Sequence, residues 1–176
     1  MANNHTQGTV TPYLPLTALH LGALRLLDAF GDGGIPEGTD FDDEGNTVLR
    51  DADVLWETLE EFFPGADKDD AIQASLVFLG RELTIGLDFE PTLDTSERYY
   101  LFAEDRLGDG DLAWLEWVLS TLPEDQVPYI VVEYAETCSK MRQGEFGGGA
   151  WLITREENYF MTTGSWLSSK IQEETP

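Results

Sequence analysis

One stretch of the sequence carries acidic residues at the spacing of a calcium-binding loop. Counted over residues 40–51, acids occupy positions 1, 3, 5 and 12 and glycine occupies position 6; these are Asp40, Asp42, Glu44, Asp51 and Gly45. Such a loop brings several oxygens onto one ion, and its glycine permits the sharp turn. The match is incomplete, because position 12 is aspartate rather than the usual, longer glutamate. Calcium binding by these four acids is therefore kept as an alternative function.

A second partial match to a calcium loop covers residues 105–116. Its position 3 is Leu107, which removes one ligand.

Residues suited to nucleophilic or zinc chemistry are few. His5 and His20 both lie near the N-terminus, and Cys138 is the single cysteine. A nucleophile needs a base held beside it, and a structural zinc site needs four ligands. The glycine run 147–149 precedes a predicted strand, whereas a phosphate-binding loop precedes a helix, so we interpret it as a bend or bulge. We expect a protein that is not an enzyme and uses no cofactor.

Charge is the strongest signal in this sequence. The 176 residues include 34 Asp and Glu against 10 Lys and Arg, a formal net charge of −24. Residues 28–125 hold 27 of the acids and 5 of the bases, whereas residues 126–176 hold 7 and 4. Solubility and a salt-loving host are explanations that need no partner. A host-wide bias would also acidify residues 126–176, so the segregation favours a surface for a basic partner.

The predicted partner-binding surface follows one helix and the segments on either side of it. Side chains three or four residues apart on a helix are neighbours, roughly 5–6 Å apart at Cβ. The predicted surface comprises Asp40, Asp42, Asp43, Glu44, Asp53, Glu57, Glu60, Glu61, Asp67, Asp69 and Asp70. Such a face is attracted to a groove lined by Lys and Arg, and salt weakens that attraction. Direct binding to nucleic acid is not expected, because phosphate contacts need Lys and Arg.

In size, acidity, single-cysteine usage and lack of a catalytic motif, the chain resembles the acidic DNA-mimic inhibitors encoded by phages and mobile elements. Those inhibitors include anti-CRISPR and anti-restriction proteins. The resemblance covers the general character of residues 28–125 and no diagnostic motif. It implies that the partner is a basic nucleic-acid-binding protein or complex of host defence, inhibited by occupation of its DNA groove. The same electrostatics fit an immunity protein that neutralises a basic nuclease toxin, which is a second candidate.

The elements that carry these residues follow from apolar spacing and turn signals. Apolar residues at helical spacing predict helices at 16–30, 51–63, 111–122 and 166–172. Apolar, β-branched and alternating runs predict strands at 74–89, 129–134, 148–154 and 159–163. This order predicts an α+β fold in which an antiparallel sheet, formed as a C-terminal meander, is packed with about three to four helices.

The expected domain organisation is a flexible N-terminal segment, 1–14, followed by a single acidic α+β domain, 15–176. The acidic part of that domain is 28–125, and its near-neutral, strand-rich part is 126–176.

Targeting and membrane signals are not visible in the sequence. The N-terminus lacks a basic region followed by an apolar one, and no run reaches the roughly 18–20 apolar residues of a membrane span. A lone cysteine suits a reducing compartment. We therefore expect a cytoplasmic protein that does not act at a membrane. The oligomeric state stays open; Trp151 or Trp166 could serve a dimer interface, although core packing is the default role of such residues.

Overall fold

The part of the chain that the structure describes contains five helices and eight strands, so the expected α+β class is confirmed. This computed structural model describes residues 4–31, 33–81, 83, 89–103, 109–138 and 147–174. The helices are α1 (Ala18–Phe30), α2 (Ala52–Leu59), α3 (Lys68–Leu76), α4 (Asp109–Thr121) and α5 (Thr163–Glu174). The strands are β1 (Asn4–Leu14), β2 (Thr39–Phe41), β3 (Thr47–Leu49), β4 (Phe89–Leu93), β5 (Tyr99–Ala103), β6 (Ile130–Cys138), β7 (Gly147–Ile153) and β8 (Asn158–Thr162). None of the helices in these ranges is both long and apolar enough to cross a membrane.

The chain divides into two compact units, which we name the sheet unit and the helical unit. The sheet unit comprises Met1–Pro15, Leu87–Arg106 and Leu115–Pro176. The helical unit comprises Leu16–Gly86 and Leu107–Trp114. Each unit is built from segments that are distant in the sequence, whereas residues 15–176 were expected to form one domain.

An antiparallel sheet of six strands forms the sheet unit, in the order β4-β5-β1-β6-β7-β8. The last three strands are consecutive in the chain, so the predicted C-terminal meander is confirmed. One row of residues crosses five strands in register: Leu101, Val10, Val132, Trp151 and Phe160. The first three are at most 3% exposed, so this face of the sheet contributes to the core of the unit.

The N-terminal segment is a central strand from residue 4 onward, and the expectation of a flexible tail there is wrong. β1 pairs with β5 on one side and with β6 on the other. Pro12 and Pro15 favour a break in regular structure there, because proline lacks the N–H that a strand interior requires. The register between β1 and β5 shifts between Val10 and Leu14. Pro12 therefore lies at an irregularity, where a missing donor is tolerated.

The helical unit is organised around α3, which contacts α1, α2 and β3. Leu55 and Leu59 of α2, together with Phe63 after it, are at most 1% exposed. Gly22 of α1 lies so close to this cluster that an added Cβ would come within 2.2 Å of the Phe63 ring. A larger residue at that position would push the two apart, because buried side chains are already close-packed.

The strand predicted at 74–89 is wrong for its first part, which is helix and turn. Ala71, Ile72 and Ser75 of α3 are at most 2% exposed, and their spacing puts them on one side of the helix. Periodicity alone does not distinguish a short, buried helix from a buried strand. Turns follow to Gly80, which has a positive φ of 74°. Residues 82 and 84–88 of that prediction lie outside the described residues.

His20 is a structural group at the start of α1. The Thr17 side chain accepts a hydrogen bond from the His20 N–H, and the Thr17 N–H donates to Nδ1 of His20 at 2.9 Å. Nε1 of Trp114 donates to the His20 carbonyl oxygen, also at 2.9 Å. The residue is 4% exposed, and burial lowers the pKa of its imidazole from 6.5 to about 4. The ring is therefore neutral in the folded protein near neutral pH.

Acidification should destabilise the protein through His20. Below pH 6.5 the unfolded chain binds a proton at this residue, which the folded chain does not bind until about pH 4. The free energy of unfolding therefore falls as pH decreases through this window, by about 2 kcal/mol between about pH 7.5 and pH 5. Thermal melts of wild type and His20→Gln at these two pH values measure the loss, which should be confined to wild type.

The variant His5→Gln measures what the other histidine contributes to the same pH dependence. If the free energy of unfolding changed with pH in the same way for wild type and His20→Gln, the assigned role of His20 would be contradicted.

Candidate functional site

The helical unit carries the predicted acidic surface. It contains 18 acidic and 4 basic residues, whereas the larger sheet unit contains 16 and 6. All eleven acids of the predicted surface belong to the helical unit, and all eleven are exposed. The structure distributes them over three places: the β2–β3 hairpin, the outer face and end of α2, and the start of α3.

The β2–β3 hairpin presents Asp40, Asp42, Asp43 and Glu44. Oδ1 of Asp42 accepts hydrogen bonds from the Glu44 N–H at 2.9 Å and from the Asn46 N–H at 2.8 Å. These bonds, those from Asn46 above all, hold the pKa of Asp42 below its usual value. Asp42 therefore closes the turn, while Asp43 and Glu44 project from it.

A side-chain hydrogen bond fixes the hairpin to the rest of the helical unit. Oγ1 of Thr47 donates to the Leu79 carbonyl oxygen at 2.7 Å. At the other end of the hairpin, the Gly38 carbonyl oxygen accepts from the N–H groups of Arg50 and Asp51 at 2.8 and 2.9 Å. The acids at the hairpin tip therefore sit on a fixed support.

Helix α2 carries the acidic row on its outer side. Its inner side is anchored by Leu55 and Leu59, which are fully buried. Asp53, Glu57 and Glu60 follow at intervals of four and three residues and are exposed. The helix ends at Leu59, with Glu60 as its C-cap, whereas the sequence predicted it to continue to Phe63. Glu61 is consequently in a turn after the helix, outside the regular row.

The start of α3 lies beside the start of α2. Nζ of Lys68 contacts Oδ1 of Asp53 at 2.5 Å, and this hydrogen bond and charge hold the pKa of Asp53 below its usual value. Asp67 is the N-cap of α3 and accepts from the N–H groups of Asp69 and Asp70. Carboxylates at a helix N-terminus are stabilised by the unpaired N–H groups and by the helix dipole.

The calcium interpretation does not agree with the observed roles of its residues. It required Asp40, Asp42, Glu44 and Asp51 to converge on one ion. Instead, Asp42 closes the hairpin turn, and Asp51 is the N-cap of α2, accepting from the N–H groups of Asp53 and Val54. Throughout the described ranges, no group of three or more His, Cys, Asp or Glu side chains is arranged to hold a metal ion. Residues 105–108 of the second partial match lie outside those ranges.

The glycine run 147–149 is part of the regular strand β7, so the predicted bend or bulge is wrong. Gly148 pairs in register with Ala135, and Gly149 with Tyr134. An added Cβ at Gly148 would come within 2.5 Å of the Tyr134 carbonyl oxygen, and one at Gly149 within 2.9 Å of the Tyr134 ring. Glycine is required here by the close approach of neighbouring groups.

A groove on the sheet unit was not predicted from the sequence. It has a volume of about 760 Å³, and its lining includes Phe102, Glu133, Met161 and Trp166. Small residues also line it, among them Gly148 and Ala150 of β7 and Ala135 of β6, which is paired with Gly148. The signal in the sequence was the small residues at alternate positions of β7, and it can be interpreted only once the pairing of that strand is known.

Comparison with protein-family models, with curated proteins and with solved structures finds no match to this chain. The inference of function therefore depends on geometry and charge.

Some of the surface acids should stabilise the fold while others do not. Replacing the N-caps by alanine, in Asp51→Ala or Asp67→Ala, should lower the free energy of unfolding by about 1 kcal/mol each, because two N–H groups lose their acceptor. Denaturant titration measures this change. The matched control is Glu61→Ala, an exposed acid outside any cap, for which we expect a change within about 0.5 kcal/mol. Equal effects for all three variants would contradict the distinction.

Proposed function

We propose that this protein is a non-enzymatic binding protein that inhibits a basic nucleic-acid-binding protein or complex by presenting a DNA-like acidic surface. The observation that carries the proposal is the exposure of eleven carboxylates on a hairpin and two helices of one unit. The partner class we propose is a host defence complex, such as a CRISPR or restriction system. The resemblance of the chain to acidic DNA-mimic inhibitors supports that class.

The charge of the helical unit supports a basic partner. With 18 acids against 4 bases, its formal net charge is −14. A field of one sign attracts a protein of opposite charge over roughly a Debye length, about 10 Å at 0.1 M salt, and accelerates association. The same field repels nucleic acid and other anionic ligands.

The spacing of the acids supports mimicry of a charged rod. Asp53, Glu57 and Glu60 extend roughly 10 Å along α2, at 1.5 Å per residue. Duplex DNA carries about one negative charge per 1.7 Å of axis, counted over both strands. A single helical row is therefore sparser than DNA. The acids of the hairpin and of α3 supply further charge beside it.

The acids of the helical unit have different structural roles, and this difference supports a preorganised surface. Asp42, Asp51 and Asp67 are engaged with backbone N–H groups and hold the hairpin and the two helices in shape. We assign the partner contacts chiefly to other acids of the predicted surface: Asp43, Glu44, Glu57, Glu60 and Glu61. Because their backbone belongs to ordered elements, little backbone entropy is lost on binding.

A basic nuclease toxin presents the same chemistry to this surface as a defence complex does. Immunity against such a toxin is the second form of the proposal. The identity of the captured partner distinguishes the two.

Charge reversal at the end of α2 and in the turn after it should strongly reduce capture of the partner. We expect the triple variant Glu57→Lys, Glu60→Lys, Glu61→Lys to bind at least about tenfold more weakly than wild type, since several favourable charge contacts become repulsive. The measurement is affinity capture from host lysate, with basic nucleic-acid-binding proteins identified by mass spectrometry. Duplex DNA added to the capture should displace the partner, and added salt should weaken its binding.

The matched control reverses three exposed acids of the sheet unit, in the variant Glu124→Lys, Asp125→Lys, Glu156→Lys. Both triple variants change the net charge equally, so a specific surface predicts loss in the first and retention in the second. Equal loss of partner capture in both triple variants would show that capture depends on net charge alone and not on a specific surface. Failure of the wild type to capture any basic nucleic-acid-binding protein would refute the proposal.

A further inference from the structure

The edge of the sheet unit formed by β8 and α5 exposes large apolar side chains. Six of them are between 49% and 63% exposed. Phe160 lies on the opposite face of β8 from its strand neighbours, and we name the other five the β8–α5 surface: Tyr159, Met161, Trp166, Leu167 and Ile171. β8 is the last strand on its side of the described sheet. Residues 163–173 of α5 are all exposed, although the helix contacts β7 and β8. A helix of twelve residues is marginal in water without packing on its apolar side.

The members of this surface form pairs of neighbours. Met161 and Trp166 line the same groove. Tyr159 and Met161 are two residues apart on a strand and therefore point to the same face. Leu167 and Ile171 are four apart on a helix and share its face.

The area of the surface reaches the lower limit for a specific association. Aromatic side chains such as Tyr159 and Trp166 each have roughly 150–250 Å² to bury, and the other three have no more than that. Half of that over five side chains is on the order of 500 Å² per copy, at the upper end of the largest apolar patch of a typical monomer. Two such patches placed together bury on the order of 1,000 Å², the size at which specific interfaces begin. Polar residues at the rim would add to this.

Charge indicates what occupies the surface. Residues 158–172 contain one charged residue, Lys170, although a quarter of the whole chain is charged. Nζ of Lys170 pairs with Glu173 at 2.6 Å. Carboxylates stand beside the patch: the Tyr159 hydroxyl donates to Oε1 of Glu157, and Glu133 lines the groove with Met161 and Trp166. Two copies of a chain of net charge −24 would therefore meet here through apolar contact, against a residual repulsion between the neighbouring carboxylates.

We propose that two copies of this chain associate through the β8–α5 surface. The contact is isologous: the same patch of each copy faces the other across a two-fold axis. The inference is independent of the proposed function, because this surface belongs to the sheet unit and the predicted acidic surface to the helical unit.

The dimer should strengthen with salt. Each copy carries a charge of −24, so the copies repel one another at long range, and counterions screen that repulsion. Sedimentation velocity of the full chain, over a wide concentration range at low and high NaCl, is the test. The mass should rise from 19.7 kDa toward twice that value with concentration, and at lower concentration in high salt. A monomer mass under all of these conditions would overturn the proposal.

Substitution locates the interface. Ile171→Lys should weaken the dimer at least about tenfold, because it introduces a charge on each side of an apolar contact. Leu93→Lys is the matched control: Leu93 is 56% exposed on β4, the opposite edge strand of the same sheet, and its replacement should leave the dimer unchanged. A dimer that survives Ile171→Lys and is lost in Leu93→Lys would refute the assigned surface.

Hydrogen exchange gives a second measurement that needs no variant. Amides of β8 and α5 should exchange more slowly at high protein concentration than at low concentration, since they are covered in the dimer. Concentration-dependent protection confined to other elements would overturn the proposal. Circular dichroism of each variant checks that a lost dimer does not reflect a lost fold.

Discussion

Repulsion among carboxylates is the constraint under which the helical unit folds, since its acids outnumber its bases by 18 to 4. Two features of the structure offset it. Buried apolar side chains, among them Leu55, Leu59 and Phe63, supply the hydrophobic gain that holds the helices together. Two acids also lie where the backbone carries positive partial charge: Asp51 and Asp67 accept hydrogen bonds from the N–H groups at the starts of α2 and α3.

This use of acids has a consequence for binding. An acidic tail would lose conformational freedom on contact with a partner, whereas acids on a hairpin fixed by Thr47 and on helices fixed by their caps are already ordered. The residues that maintain the geometry and those proposed to meet the partner are different members of one charged set. The structure therefore distinguishes roles among acids that are equivalent in composition.

Charge segregation also distinguishes the two contacts proposed for this molecule. The contact proposed for the acidic surface would act at long range and depend on ionic strength, as electrostatic attraction does. The contact proposed for the β8–α5 surface would act at short range, through removal of apolar area from water. A dimer formed through it would carry two acidic units, and a partner with two basic grooves would then gain from bivalent attachment.

The sequence by itself determined what depends on composition and on neighbours along the chain. The excess of acids in 28–125, the helix predicted at 16–30 and found at 18–30, and the C-terminal meander follow from counts and from local apolar periodicity. Tertiary structure decided the central position of β1, whose stability comes from pairing with β5 and β6, more than 80 residues away in the chain. It also decided that Asp42 closes a turn and Asp67 caps a helix, while Asp43 and Glu61 project into solvent. Such roles depend on which N–H groups lie within hydrogen-bond reach, and that distance is set only when the chain has folded.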